Sequence, residues 1–167
     1  GNINTAVGYQ AGLANTSGCN NVFVGFCATG VTATSNNTIT LGNSAIATIR
    51  AQVTTITALS DQRDKTAVEN VPLGLQFIMD LRPVKFTWNM RDGSKVGIAE
   101  AGFIAQELLA VTEKYGVKDW LPLVLEENPE RLEATPGKLL PVMVRAIQEL
   151  AEENISLKNR ITALENK

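Results

Sequence analysis

In the run LSDQRDK, Leu59 to Lys65, a hydroxyl, two carboxylates, a guanidinium and an amine crowd into seven residues. The chain contains no histidine, which excludes Ser-His-Asp and Cys-His mechanisms, so a serine nucleophile must find another base. Lysine can fill that role. A neutral amine takes a serine proton when burial or a nearby positive charge, such as Arg63, disfavours the ammonium. Ser60 and Lys65 are five positions apart. In a continuous strand they would face opposite sides, and in a helix they would diverge by about 140°. A Ser60–Lys65 pair therefore needs a turn between them or a lysine from another chain. The spacing by itself favours a solvated charged loop.

The rest of the chain narrows the choice. A net charge of −2 over 167 residues, with acids and bases interspersed, offers no basic face for phosphate, and no nucleic-acid partner is expected. No apolar run is long enough to cross a bilayer, and GNINTAVGYQ lacks the basic start and apolar centre of a signal peptide, so membrane insertion is not expected. Gly1 reads as the start of a fragment cut from a longer chain. Cys19 and Cys27, without a histidine, do not make a zinc site. Free thiols serving as small core residues are expected there rather than a disulfide. No metal and no cofactor are implied.

The elements around LSDQRDK differ on its two sides. Before it, a segment rich in Gly and Asn and almost free of charge repeats every 17 residues, aligning Gly8, Gly25 and Gly42, then Ala11, Ala28 and Ala45, then Val7, Val24 and Leu41, with Asn4, Asn21 and Thr38 also in register. Each unit is a short β-prone run closed by glycine. One unit cannot bury its own apolar face, so the units must stack. A glycine at the same place in each coil implies a positive φ or a close backbone approach. Asparagine suits the corner before each strand.

After it, globular patterning takes over. VPLGLQFIMDLRP places Val71, Leu75, Ile78 and Leu81 at helical spacing, with Pro72 near the start and Pro83 forcing the end. PVKFTWN alternates as a half-buried strand, and Arg91 to Gly93 make the turn. AEAGFIAQELLAVTEKYG reads as a strand through Phe103 and Ile104 running into a helix that Gly116 ends. The tail, from about residue 137, carries Leu140, Met143, Ile147, Leu150, Asn154, Leu157, Ile161 and Leu164 at alternating spacings of three and four. That is a heptad seam, with a polar Asn154 at an a position suited to setting register. The helix should pair with copies of itself. Ile at a with Leu at d favours two strands, whereas the repeats favour three.

Two resemblances follow from these motifs. The units of residues 1 to 48 resemble the β-roll and β-helix repeats of trimeric phage tail fibres and autotransporter adhesin heads. LSDQRDKTAVENV, LGLQFIMDLRPVKFTW, AGFIAQEL and the long final helix, spanning about Ala58 to Lys167, resemble the intramolecular chaperone domain of phage tailspikes and tail fibres, the endosialidase-type peptidase S74 family. The second resemblance implies that Ser60 is a nucleophile, Lys65 its general base and Leu59–Ser60 the scissile bond. Asp61 and Arg63 match the motif in supporting roles, and Glu107 matches a family pattern while also suiting a helix start. The one departure is Asp64, where the pattern has an apolar residue; it sets a negative charge beside the lysine that is to act as base.

The expected architecture is α+β: a trimeric β-helix or β-roll segment over 1–59, a small α+β chaperone domain over 60–167, and a long C-terminal coiled-coil helix. The resemblance implies a single-turnover autoproteolytic serine endopeptidase that trimerises and registers a tail fibre and then releases itself. The partners implied are two further copies in a homotrimer, with room for a host-surface receptor on the repeats. The N-terminal product would reside in the virion tail fibre, with assembly in the host cytoplasm. The rival readings are a trimerisation module that does not cleave and a receptor-binding adhesin tip.

Overall fold

The computed structural model describes residues 1–53 and 55–166; the last residue of the expected chaperone domain, Lys167, lies outside them. The chain is mixed α and β, with small sheets and a long C-terminal helix. It forms two compact units. One comprises Gly1–Ile56, Lys85–Gly102 and Leu125–Glu133; the other comprises Thr57–Val84, Phe103–Val124 and the chain from Ala134.

In the first unit the 17-residue period becomes a parallel three-stranded sheet of β1 (Thr5–Val7), β2 (Val22–Val24) and β3 (Ile39–Leu41). Its register pairs Ala6 with Phe23 and Phe23 with Thr40, each shifted by one repeat. Side chains alternate across a strand. The middle residues therefore point into the coil, where Phe23 is 1% exposed. The corner asparagines form a second ladder. Asn21 N donates to Asn4 Oδ1 at 2.9 Å, and Thr38 N donates to Asn21 Oδ1 at 3.0 Å. The Asn4 and Asn21 amides meanwhile donate to Gly18 O and Ser35 O. Glycine is required at two rungs by space as well as by φ. A Cβ on Gly8 (φ 129°) would lie 2.6 Å from Gly25 O, and one on Gly25 (φ 116°) would lie 3.1 Å from Gly42 Cα.

Cys19 and Cys27 are free thiols, as expected, but half-buried rather than in the core. Both occupy coil corners. Cys19 Sγ accepts from Asn2 N at 3.3 Å, and Cys27 holds a positive φ of 52°. The same unit contains a hairpin whose strands are β4 (Val84–Asn89), as expected, and β5 (Val96–Gly102). Asp92 closes its turn by accepting from Ser94 N at 2.9 Å and Ser94 Oγ at 2.6 Å. The second strand stops at Gly102, before Phe103 and Ile104. Had the strand continued, those adjacent apolar residues would point to opposite faces; as a lead-in to a helix, both line one cleft in the second unit.

The second unit is built around three helices, α1 (Leu75–Asp80), α2 (Ala105–Lys114) and α3 (Leu140–Glu165). Phe77, Leu108, Leu123, Leu139 and Val142 form its core, each 3% exposed or less. Gly116, at φ 64°, ends α2 as expected. By contrast, α1 starts at Leu75, well after Pro72, because its first N–H is capped from elsewhere. Leu75 N donates to Glu149 Oε2 of α3 at 2.7 Å. A Cβ on Gly74 would collide with that carboxylate. A 3-10 turn, Pro136–Leu139, leads into α3. The helix buries Val142 and Ala146 against its own unit, while the heptad positions stay outside: Leu140, Ile147 and Leu164 are each at least 65% exposed. From Ala151 to Asn166 every residue is exposed. Strands β6 (Val124–Leu125) and β7 (Glu133–Ala134) lie where the chain passes between the units.

Candidate functional site

The spacing problem at Ser60 and Lys65 is solved by a single turn. Residues Gln62–Asp64 form a 3-10 helix, with Asp64 N donating to Asp61 O at 3.2 Å and Lys65 N to Gln62 O at 3.1 Å. Asp61 caps it in the usual way for an aspartate at a helix start, its Oδ1 accepting from Arg63 N at 2.8 Å. The backbone is extended on both sides of the turn, at Asp61 and at Lys65. The reversal carries the Lys65 side chain back onto Ser60. Lys65 Nζ donates to Ser60 Oγ at 2.6 Å and to Ser60 O at 3.0 Å. The structure thus brings Ser60 and Lys65 together within one chain.

Asp61 and Arg63 form an ion pair alongside. Arg63 Nε lies 3.1 Å from Asp61 Oδ1, and Nη2 lies 2.6 Å from Oδ2. The Arg63 hydrogen bonds hold the Asp61 carboxyl below its ordinary range, and the same contact raises the Arg63 guanidinium. The positive charge of Arg63 is therefore directed at Asp61. Both contacts lie within the turn. Asp64 is part of the 3-10 turn and is exposed. Ser60 and Lys65 are exposed as well, and Leu59, on the other side of the bond in question, is 97% exposed.

Glu107 takes a different role. It sits in the first turn of α2, where Arg82 Nε donates to its Oε2 at 3.0 Å. This pairing lowers the Glu107 carboxyl and raises the Arg82 guanidinium. Both residues edge a cleft of about 270 Å³ with an apolar floor of Leu81, Phe103, Ile104 and Leu108. On its rim, Asp80 Oδ2 accepts from Lys114 Nζ at 2.7 Å and from Tyr115 OH at 2.6 Å. Sequence reading did not single out Asp80, Arg82 or Tyr115. Asp80 and Tyr115 are 35 positions apart, so no local pattern announces the contact.

With this geometry in hand, a comparison with protein families is informative: a model described as chaperone of endosialidase, of the peptidase S74 type, matches residues 60–117. Residues 60–117 carry that chaperone domain. The match opens on Ser60 itself and closes just after Gly116, covering roughly a third of the chain. The chaperone-domain match is narrower than the resemblance read from sequence, leaving α3 and the repeats outside. No curated protein and no solved structure matches this chain.

Proposed function

We propose that this chain is the self-releasing end of a trimeric tail fibre or tailspike: it gathers and registers three copies, then cleaves its own Leu59–Ser60 bond. The observation that carries the proposal is the 2.6 Å contact between Lys65 Nζ and Ser60 Oγ at the first residue of the chaperone match. In this reading, Lys65 as the neutral amine accepts the Ser60 hydroxyl proton while Oγ adds to the Leu59 carbonyl carbon. The intermediate collapses by breaking the C–N bond. Lys65 returns the proton to the departing Ser60 nitrogen, which leaves Leu59 esterified to Ser60 Oγ. Water then hydrolyses the ester, giving a Leu59 carboxylate and a chain beginning with Ser60. Asp61 and Arg63 hold the turn that keeps the amine on the hydroxyl.

Assembly enters through exposure. A lysine serves as a base when it is desolvated, and Leu59, Ser60 and Lys65 are all open to solvent in the single chain. Neighbouring copies would cover them, making cleavage follow trimer formation. The exposed heptad seam of α3 supplies the contact, acting as a coiled coil. Stacked repeats pair residues far apart in sequence, which is slow to register; tethering three chain ends raises their effective concentration. Cleavage after assembly would leave the fibre kinetically trapped in its folded form.

The test is intact mass spectrometry of purified protein beside Ser60→Ala and Lys65→Ala, with N-terminal sequencing of the smaller product. Wild type should split between Leu59 and Ser60. Ser60→Ala should stay whole, and Lys65→Ala should cleave about 10²- to 10⁴-fold more slowly, the range for loss of a general base. An assembled wild type that remains whole removes the protease reading and leaves a trimerisation module.

A further inference from the structure

The first compact unit straddles the bond that the proposed reaction cuts. Gly1–Ile56 lies before Leu59, whereas Lys85–Gly102 and Leu125–Glu133, which belong to the same unit, lie after Ser60. Its parts are therefore joined by contacts as well as by the chain, and breaking one peptide bond removes only the tether. The contacts that cross the bond fall at two places on the repeats. Between β2 and β3, Thr32 Oγ1 donates to Glu127 Oε1 at 3.3 Å, and Asn128 Nδ2 donates to Val31 O at 3.3 Å. After β3, the Ser44 hydroxyl donates to the Asp92 carboxylate at the tip of the β4–β5 hairpin.

Both sides of this contact are held in shape by local hydrogen bonds of their own. Asn128 Oδ1 accepts from Glu130 N at 3.0 Å and Asn128 O from Arg131 N at 2.9 Å, which fixes the loop and leaves the amide to reach the repeat. Asp92 is fixed by Ser94 N and Ser94 Oγ, and the Arg91 side chain donates to Glu130 O, linking the hairpin tip to the loop. On the repeat, Thr32 N donates to Oγ of Ser35 at 3.0 Å, and Ser35 is 1% exposed. Groups that are already ordered lose little conformational freedom when they dock. Given the cleavage proposed above, we propose that it nicks this unit without dividing it: the chaperone product stays docked, through Asp92, Glu127 and Asn128, on Ser44, Thr32 and Val31 of the fibre product. Release is then a separate step, in which these contacts open. In an assembly of three chains the same docking occurs three times over, and the contacts reinforce one another.

The experiment follows the full chain through cleavage, comparing native with denaturing mass spectrometry of the same sample over time. The two fragments should separate on denaturation and remain one complex in native conditions. Ser44→Ala combined with Asn128→Ala should cleave at the wild-type rate, and its fragments should part at least about tenfold faster, the effect of losing two modest hydrogen bonds. Glu127→Gln, which keeps an acceptor for Thr32 Oγ1, should hold like wild type. Wild-type fragments that part as fast as they form overturn this inference alone, and so does a double variant that holds as well as wild type. A wild type that stays whole overturns the cleavage reading instead. The docking is then read in Ser60→Ala carrying a site-specific protease sequence inserted after Ala58: cut fragments that stay together uphold it, and cut fragments that separate overturn it.

Discussion

The repeat segment and the Ser60–Lys65 turn are built by opposite means. In the repeats, the asparagine ladder and the glycine rungs join residues one coil apart: Asn4 with Asn21, Asn21 with Thr38, Gly8 with Gly25. In the turn, every contact lies within five positions and most involve charge. A locally closed turn forms as soon as its few residues are free to bend. A stacked coil must first bring distant parts of the chain together, and it pays the loop entropy before any contact rewards it. The Ser60–Lys65 contact therefore needs only the five residues after Ser60, whereas each coil needs its neighbour. If cleavage waits for assembly, what it awaits is the covering of the pair by neighbouring copies, since bringing the two residues together needs only the turn.

That contrast can be broken most directly at α3. Placing glutamates at Leu157 and Leu164 should leave the Ser60–Lys65 contact formed yet slow cleavage by on the order of a hundredfold or more, if covering supplies the general-base effect. Cleavage at the wild-type rate in such a single chain, followed by mass spectrometry over time, would show that the local turn suffices.

A smaller but still large effect is expected in the repeats. Asn21→Ala leaves the Thr38 N–H and the Ser35 carbonyl without partners in a buried site, at about 1–3 kcal/mol for each. Thermal unfolding of the repeat segment should fall accordingly, with the turn untouched. Conversely, Asp61→Ala should affect only the turn. Loss of the cap costs about 0.5–2 kcal/mol, so cleavage should slow by roughly 2- to 30-fold. Asp61→Asn, which keeps an acceptor for Arg63 N, should slow it less.

The smallest effect is electrostatic and lies in the hairpin. Ser94, through its hydroxyl first and its N–H second, together with Ser44, pulls the Asp92 carboxyl down to about 2. Its folded value is below its unfolded one. The stability it lends is thus fully present above the ordinary aspartate value of 3.8 and is lost as pH falls through about 2. A carbon-detected titration of the Asp92 carboxyl, with Ser94→Ala returning it toward 3.8, checks this assignment.

Much of the fold was legible because it is periodic or punctuated. The 17-residue register, the strand at Val84–Asn89 and the stop at Gly116 each rest on local residue types. Other boundaries were not. The start of α1 is set by Glu149, 74 positions further on, whose carboxylate supplies the cap that Gly74 lacks. The end of β5 at Gly102 leaves Phe103 and Ile104 outside the strand, where they line the cleft beside α2.

By itself the sequence determined which residues could act at the seam, and that, with no histidine, a lysine is the candidate base for Ser60. It also determined the heptad spacing and the periods of stacking, because these depend only on residue types and intervals. Only the tertiary structure decided that a 3-10 turn folds Lys65 back onto Ser60, that Arg63 braces Asp61 instead of facing the lysine, and that Val142 and Ala146, rather than the heptad leucines, hold α3 to its own unit. Each of these is a choice among partners that sequence offers equally, settled by which side chains can reach each other once the backbone has turned.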